Sequence, residues 1–174
     1  MGFGEDSNMI FVNVSNGFLQ NRKKDIQARS YTGLLENMER KEDEYEGKKI
    51  NKIQLFMRDT EKDERVCISF TEDTWFSVTF FQRFEDIDRN KPFTVGVSGS
   101  DQNEKVSFCW MKQDGNKIGK GDISLPEKKK IGNREVYDHS VFLMHVDNIL
   151  SEYKDKKPAQ DPGKIYDDDG TELF

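Results

Sequence analysis

The spacing of the apolar residues changes twice along this chain, and the two changes limit the folds that it can adopt. Alternation of apolar and polar residues is typical of a strand with one buried face, whereas steps of three and four are typical of a helix. Between the third and the fourth alternating segment, Phe76, Phe80, Phe84 and Ile87 recur at helical spacing. The alternating segments, which predict five strands, are residues 9–19, 49–58, 65–70, 93–98 and 105–112.

This order of elements predicts a mainly β fold of one kind. Five short strands with a helix between the third and the fourth have the connectivity of an OB-fold, a partly open five-stranded barrel. An additional amphipathic C-terminal helix is predicted over residues 138–153. Residues 20–48 are predicted to form a long insertion, whose acidic part, 36–46, is partly helical or solvated. We expect a domain over 1–153 and a disordered linker with an acidic tip over 154–174.

Length and composition exclude several classes of protein. The 174 residues suffice for one domain, and about a quarter of them are Leu, Ile, Val or Phe, more than a disordered chain contains. No apolar run approaches the roughly 20 residues that cross a bilayer, and no secretory signal is visible. The prediction is a cytoplasmic protein without a membrane partner. Cys67 and Cys109 lie in apolar strands, so we expect two buried thiols.

The sequence contains no motif of an enzyme or of a cofactor site. A phosphate-binding loop, a dinucleotide-binding glycine pattern and a nucleophile elbow are all missing. His139 and His145 are six residues apart and do not share a helix face. The two cysteines do not make a zinc site, and aspartates 167–169 do not fit the spacing of a calcium loop. We expect no catalysis, no metal and no cofactor.

Taken alone, the net charge of -6 disfavours a nucleic-acid ligand. The charges are, however, distributed unevenly along the chain. Residues 165–174 contain four acids and no base, so they account for four of the six negative charges. Bases concentrate elsewhere: residues 47–58 hold four and no acid, and residues 22–29 hold four against Asp25. A near-neutral body with basic segments is compatible with binding phosphates.

The second predicted strand carries basic and aromatic residues on one face. Its apolar residues are expected to face the core, so a phenylalanine between cationic and polar side chains faces outward. Such a ring suits a stacked base, with phosphates held alongside, and strands two and three are the usual binding surface of an OB-fold. The candidate nucleic-acid-binding residues are Phe11, Arg22, Lys23, Lys24, Arg29, Lys48, Lys49, Lys52, Gln54, Phe56, Arg58 and Arg65.

Each aromatic residue also has a purely structural explanation. Phe56 would be packed rather than exposed if the 20–48 insertion or the C-terminal helix covered it. The residues expected in the core on this basis are Trp75, Phe108 and Trp110, and the basic run 128–130 is then a solvated loop.

The predicted barrel, the basic and aromatic face and the C-terminus together resemble single-stranded DNA-binding proteins of bacterial and phage type. In that family a linker with Pro and Gly ends in a short acidic tip closed by Phe. Here Gly170–Leu173 stand where the bacterial tip has a Pro and a shorter apolar end, and the insertion and second helix look more like a phage replication protein. The residues that match the tip are Asp167, Asp168, Asp169, Glu172, Leu173 and Phe174.

The resemblance implies binding and protection of single-stranded DNA, without sequence specificity, in DNA replication, recombination or repair. It implies that the tip recruits replication or recombination proteins and competes with DNA for the basic face. If a phage encodes the chain, it works in the host cytoplasm. Two alternatives stay open: an RNA-binding OB-fold, and a virion-associated or other protein-interaction β-barrel with no nucleic-acid ligand.

Overall fold

The chain is described by a computed structural model over residues 9–121 and 125–156. The predicted acidic tip, 167–174, lies outside the described residues. Within these residues there are two helices, α1 (Trp75–Phe84) and α2 (Ser140–Lys156). The strands are β1 (Met9–Ser15), β2 (Phe18–Asn21), β3 (Ile26–Ala28), β4 (Ser30–Tyr45), β5 (Lys48–Asp59), β6 (Glu64–Thr71), β7 (Phe93–Gly99), β8 (Ser107–Gln113), β9 (Asn116–Lys117), β10 (Glu127–Ile131) and β11 (Arg134–Asp138).

Nine of the strands form one sheet, in the order β3-β2-β1-β6-β5-β4-β7-β8-β9. β1 and β6 run parallel, and the other neighbours are antiparallel. The sheet is strongly curled into a half-barrel, so that the Gly17 N–H on the β1–β2 turn donates to Ser107 Oγ at the start of β8, 2.8 Å away. β10 and β11 form a separate hairpin. The prediction of a mainly β fold is confirmed, but the sheet has nine strands rather than five.

The first predicted strand, 9–19, is two strands. Asn16 and Gly17 have φ angles of 52° and 83°, the left-handed region that a two-residue hairpin turn requires and that Asn and Gly adopt at least cost. The turn lets Val14 pair with Leu19. Apolar alternation continues across the turn, and for this reason the break is invisible in the pattern of apolar residues.

The predicted insertion over 20–48 is the largest difference from expectation. It contributes the rest of β2 and all of β3 and β4, and its acidic part, 36–46, is strand almost throughout rather than partly helical. The outer half of β4 pairs with β5 alone, as an exposed two-stranded ribbon. Both faces of the ribbon meet water, so its residues show no apolar alternation, and backbone pairing holds the strand.

The inner surface of the sheet surrounds a cluster of phenylalanines. α1 begins after Thr74, whose Oγ1 accepts from the Ser77 N–H over 3.3 Å. It spans 10 residues and ends at Phe84, before Ile87, the last residue of the predicted helical spacing. Phe80 is fully buried and contacts Phe70, Phe81 and Phe84 at centroid distances of 5.0 to 5.3 Å. Such aromatic contacts stabilise beyond the burial of apolar area alone.

The second helix, predicted over 138–153, packs on the same inner side. Phe142, Val146 and Tyr153 join the buried cluster, and the Phe142 ring lies 6.2 Å from that of Phe81. Arg40 on β4 forms ion pairs with Glu72 and, over 2.6 Å, with Asp147 on α2. The pairs therefore join the ribbon, the start of α1 and α2.

Two predictions about aromatic and basic residues are wrong. Phe108 and Trp110 lie on the outer face of β8, half-buried, because pairing with Val97 and Val95 turns Cys109 and Met111 inward. The basic run 128–130 is part of β10, exposed but not a loop. Two further expectations are confirmed: Cys67 and Cys109 are buried free thiols, and Trp75 packs against the core.

The phenylalanine cluster predicts a large difference between two Phe→Ala substitutions. Phe80→Ala should lower the free energy of unfolding by about 3–5 kcal/mol, because it leaves a cavity among packed rings. The measurement is denaturant unfolding followed by circular dichroism. Phe11→Ala is the matched control: Phe11 is 53% exposed, so its loss should stay within about 0.5 kcal/mol. Equal losses for the two variants would contradict the assignment of inner and outer faces.

Candidate nucleic-acid interface

The outer surface of the sheet carries a row of side chains across three neighbouring strands. Phe11 on β1 pairs with Cys67 on β6, and Cys67 pairs in turn with Phe56 on β5. Phe11 is exposed and Phe56 half-buried, while the inward neighbours Leu55 and Met57 are buried. With strands about 4.8 Å apart, the two rings sit roughly 10 Å from each other on one face.

A second row, of amides and hydroxyls, runs beside the first. Gln20 on β2 pairs with Asn13 on β1, Asn13 with Ser69 on β6, and Ser69 with Gln54 on β5. The Gln54 Nε2 donates to Ser69 Oγ over 3.4 Å, and Gln20 Nε2 donates to the Ser15 carbonyl over 2.7 Å. Amides offer both donors and acceptors, as the edges of nucleobases require.

Two open grooves flank β1 on this surface. One, of about 370 Å³, is lined by Tyr45, Ile50 and Lys52 from the ribbon and by Asn13 and Ser15. The other, of about 430 Å³, is lined by the same Asn13 and Ser15 and extends to the β2–β3 turn. Because they share these two residues, the grooves lie side by side across β1.

The predicted cations divide into two groups, and the first is unpaired. Arg22, Lys23 and Lys24 lie exposed in the β2–β3 turn, at the end of the second groove. Across residues 9–121 and 125–156, none of them makes an ion pair, and neither does Lys48 on the ribbon. The Arg29 guanidinium stacks on the outward ring of Phe18, 4.4 Å from its centroid.

The second group of cations is already neutralised by carboxylates. The Arg58 Nε donates to Glu36 over 2.9 Å, and Arg65 Nε lies 3.5 Å from the same carboxylate. Lys52 Nζ lies 3.6 Å from Asp43. The backbone N–H of Glu44 and the Lys52 ammonium lower the pKa of Asp43. A phosphate at these positions has to displace a carboxylate, so the positive potential is concentrated at the β2–β3 turn.

Lys49 lies apart from the other candidates. It alternates with Lys48 and therefore points to the opposite side of the ribbon, where its ammonium lies 4.0 Å from Glu42. The sequence grouped Lys48 with Lys49 because both belong to the basic segment 47–58, which contains no acid.

The surroundings of Phe56 bear on whether its ring is packed under another element. Segment 20–48 forms strands in the same sheet, beside β5, and α2 packs on the inner surface. Phe56 is not a member of the apolar core, and within the described residues its ring has no aromatic partner. The C-terminal helix therefore lies on the other side of the sheet from Phe56.

Two aromatic residues of this surface are not among the candidates predicted from the sequence. Tyr45 ends β4 and is 64% exposed above the first groove, and Phe18 faces outward on β2. Tyr45 stands among acids in a segment assigned to the insertion. Phe18 follows an Asn-Gly pair. This pair is the one sign in the sequence that a new strand begins there, in which the inward and outward alternation of side chains starts afresh.

The described residues contain no group of three or more His, Cys, Asp or Glu placed to hold a metal ion. None of their helices is both long and apolar enough to cross a membrane. Comparison of the chain with protein-family models, with curated proteins and with solved structures gave no match.

Cys67 offers a chemical test of the outer face. The thiol is 1% exposed within the row of rings, and burial raises its pKa to about 11, despite an opposing hydrogen bond with Ser69. Alkylation requires the thiolate, so the rate with iodoacetamide should rise about tenfold per pH unit up to about pH 11. Peptide mass spectrometry measures the rate, with Cys109, which is buried on the inner face of the sheet, as an internal control. A rate that levels off near pH 9 in the folded protein would contradict this burial.

Proposed function

We propose that this protein binds single-stranded DNA without sequence specificity and protects it during DNA replication, recombination or repair, without catalysis and without a cofactor. The observation that carries the proposal is the row of Phe11, Cys67 and Phe56. It presents two outward rings beside an amide row and a groove that leads to cations without ion pairs among the described residues. Rings of this kind stack bases of any identity, because every base has a π-face.

The strand order supports an OB-fold as the core of the domain. β4, β5 and β6 form a meander, α1 follows, and β7 returns to pair with β4 before β8 pairs with β7. Counted from β4, these are five strands with a helix between the third and the fourth, as in an OB-fold. The first strand of the proposed OB-fold is then β4 rather than residues 9–19, and the β1–β2 hairpin is an addition beside its third strand.

On this numbering the binding face lies where OB-folds commonly bind. Strands two and three are β5 and β6, and the loop between strands one and two is the tip of the ribbon, beside Tyr45 and Lys48. Both features are binding elements in OB-folds. The additional β1 contributes Phe11 and Asn13, and the β2–β3 turn contributes the unpaired cations.

The proposed contributions of the cations and of the rings to binding follow from the ion pairs. The unpaired Arg22, Lys23 and Lys24 supply most of the attraction for phosphates, because Arg58, Arg65 and Lys52 first have to leave their carboxylates. The rings supply contacts that are insensitive to salt. Binding of this kind weakens steeply as salt rises, since phosphate contacts release condensed counterions.

The acidic tip remains part of the proposal on the strength of its sequence. Asp167 to Asp169, Glu172, Leu173 and Phe174 end the chain with four acids and two apolar residues. We propose that they recruit replication or recombination proteins, with the ring in an apolar pocket and the acids against a basic rim. The proposed location is the cytoplasm, that of the host if a phage encodes the chain.

The proposal is tested by titrating labelled oligonucleotides and following fluorescence anisotropy. Oligo-dT should bind at low salt, more tightly than a duplex of equal length, and Phe56→Ala should weaken it by about 1–3 kcal/mol without lowering the melting temperature. Leu143→Ala, on the half-buried side of α2, is the control for a nonspecific effect of truncation. Absence of oligo-dT binding at low salt would refute the proposal and favour a protein-interaction barrel, and preference for oligo-U would favour RNA.

A pair of lysines tests the charge assignment separately. Lys23→Ala should reduce the slope of log affinity against log salt by about 0.7, the contribution of one phosphate contact on a single strand. Lys49→Ala should leave the slope unchanged, because its side chain points away from the binding face and is paired with Glu42. Equal effects of the two substitutions would show that binding follows net charge rather than this surface.

A further inference from the structure

Trp110 lies on the outer surface at the far side of the sheet, where its ring covers a glycine. A Cβ placed on Gly96, its partner on β7, would lie 1.9 to 2.4 Å from three ring atoms, Cε2, Cζ2 and Cδ2. Three atoms of the fused ring system at similar short distances mean that the indole lies face-on against the backbone. Only glycine permits this, because any side chain at position 96 would collide with the ring.

The opposite face of the indole is bordered by a movable cation. Lys112, two residues further along β8, is exposed, and its ammonium lies 5.6 Å from the ring centroid. In the described part of the chain this ring has no aromatic partner. A cation–π contact at an exposed site contributes only about 0.5–1 kcal/mol, so another planar group can replace the ammonium at little cost.

The surface around Trp110 is continuous with the proposed binding face. Gly96 pairs with Ser30 on β4, directly after Arg29, which stacks on Phe18. The Val97 N–H donates to the Arg29 carbonyl over 2.8 Å. A band of outward side chains therefore joins β2 to β8 around the curl of the sheet.

We propose that Trp110 is a second stacking site for a base of the bound single strand, with Lys112 moving from the ring to the neighbouring phosphate. The inference rests on the proposed function and extends it, since it implies that the strand follows the curl of the sheet. Spacings of about 4.8 Å between strands and 3.3 Å between residues place Trp110 roughly 25 Å from Phe56 along the surface. A short oligonucleotide on Phe56 does not reach it.

Intrinsic fluorescence gives a direct test, because Trp75 and Trp110 are the two tryptophans of the chain. In the Trp75→Phe protein all tryptophan emission comes from Trp110. An oligo-dT of about 16 nucleotides, the upper end of the site size of one OB-fold, should quench this emission, and one of about 4 nucleotides should not. Anisotropy of the labelled oligonucleotides measures their binding in parallel.

A second variant tests the contribution of the ring to affinity. Trp110→Leu keeps an apolar cover over Gly96, and it should weaken binding of the longer oligo-dT about 5- to 100-fold while leaving that of the shorter one unchanged. Circular dichroism confirms that the variant is folded. Saturating binding of the longer oligonucleotide with unchanged Trp110 emission would refute this inference alone. Absence of binding by either oligonucleotide would refute the proposed function and this inference together.

Discussion

Packing on one side of the sheet is the constraint on which the rest of the structure depends. The phenylalanine cluster, α1 and α2 all lie on the inner surface, where Phe80 and Phe142 are fully buried. A sheet covered on one face needs an alternating sequence, and alternation leaves every second residue of β1, β5 and β6 on the other face. What these outward positions contain is therefore free of the demands of the core. In this chain they contain Phe11, Phe56 and a row of amides, which stability does not require.

The curl of the sheet and the pairing of charges determine how a ligand meets this face. The Asn16–Gly17 turn brings the β1–β2 hairpin against the start of β8, so residues far apart in the strand order come close. Glu36 neutralises the arginines at one end of the face, whereas the cations of the β2–β3 turn, at the other end, form no ion pair within residues 9–121 and 125–156. The proposed path of a single strand thus runs from a stacking region with balanced charge towards an attractive basic turn. The net charge of -6 describes neither region.

The sequence predicts those parts of the fold in which one face is buried and the other is wet. The alternation of β5 and the helical spacing of Phe76, Phe80 and Phe84 follow directly from one-sided burial. The β4 ribbon is not predicted because both its faces are exposed to water. The position of Trp110 is not predicted because both alternating sets of residues in β8 contain apolar side chains, and alternation does not show which set faces inward. The same holds for the candidate site. The outward face of β5 can be predicted from the sequence, but the carboxylates that pair with Arg58 and Lys52 belong to β4 and cannot be predicted. Only the register of the sheet brings them together.

The most direct test of the central claim, that the outer face of β1, β5 and β6 binds a single strand, is nuclear magnetic resonance of the side-chain amides. The NH₂ groups of Asn13, Gln20 and Gln54 lie along the face, and that of Asn148 is exposed on α2, away from it. Upon addition of oligo-dT, the account predicts that the signals of the first three shift and that of Asn148 does not. A shift of Asn148 while Asn13, Gln20 and Gln54 stay unchanged in the presence of bound oligo-dT would contradict it.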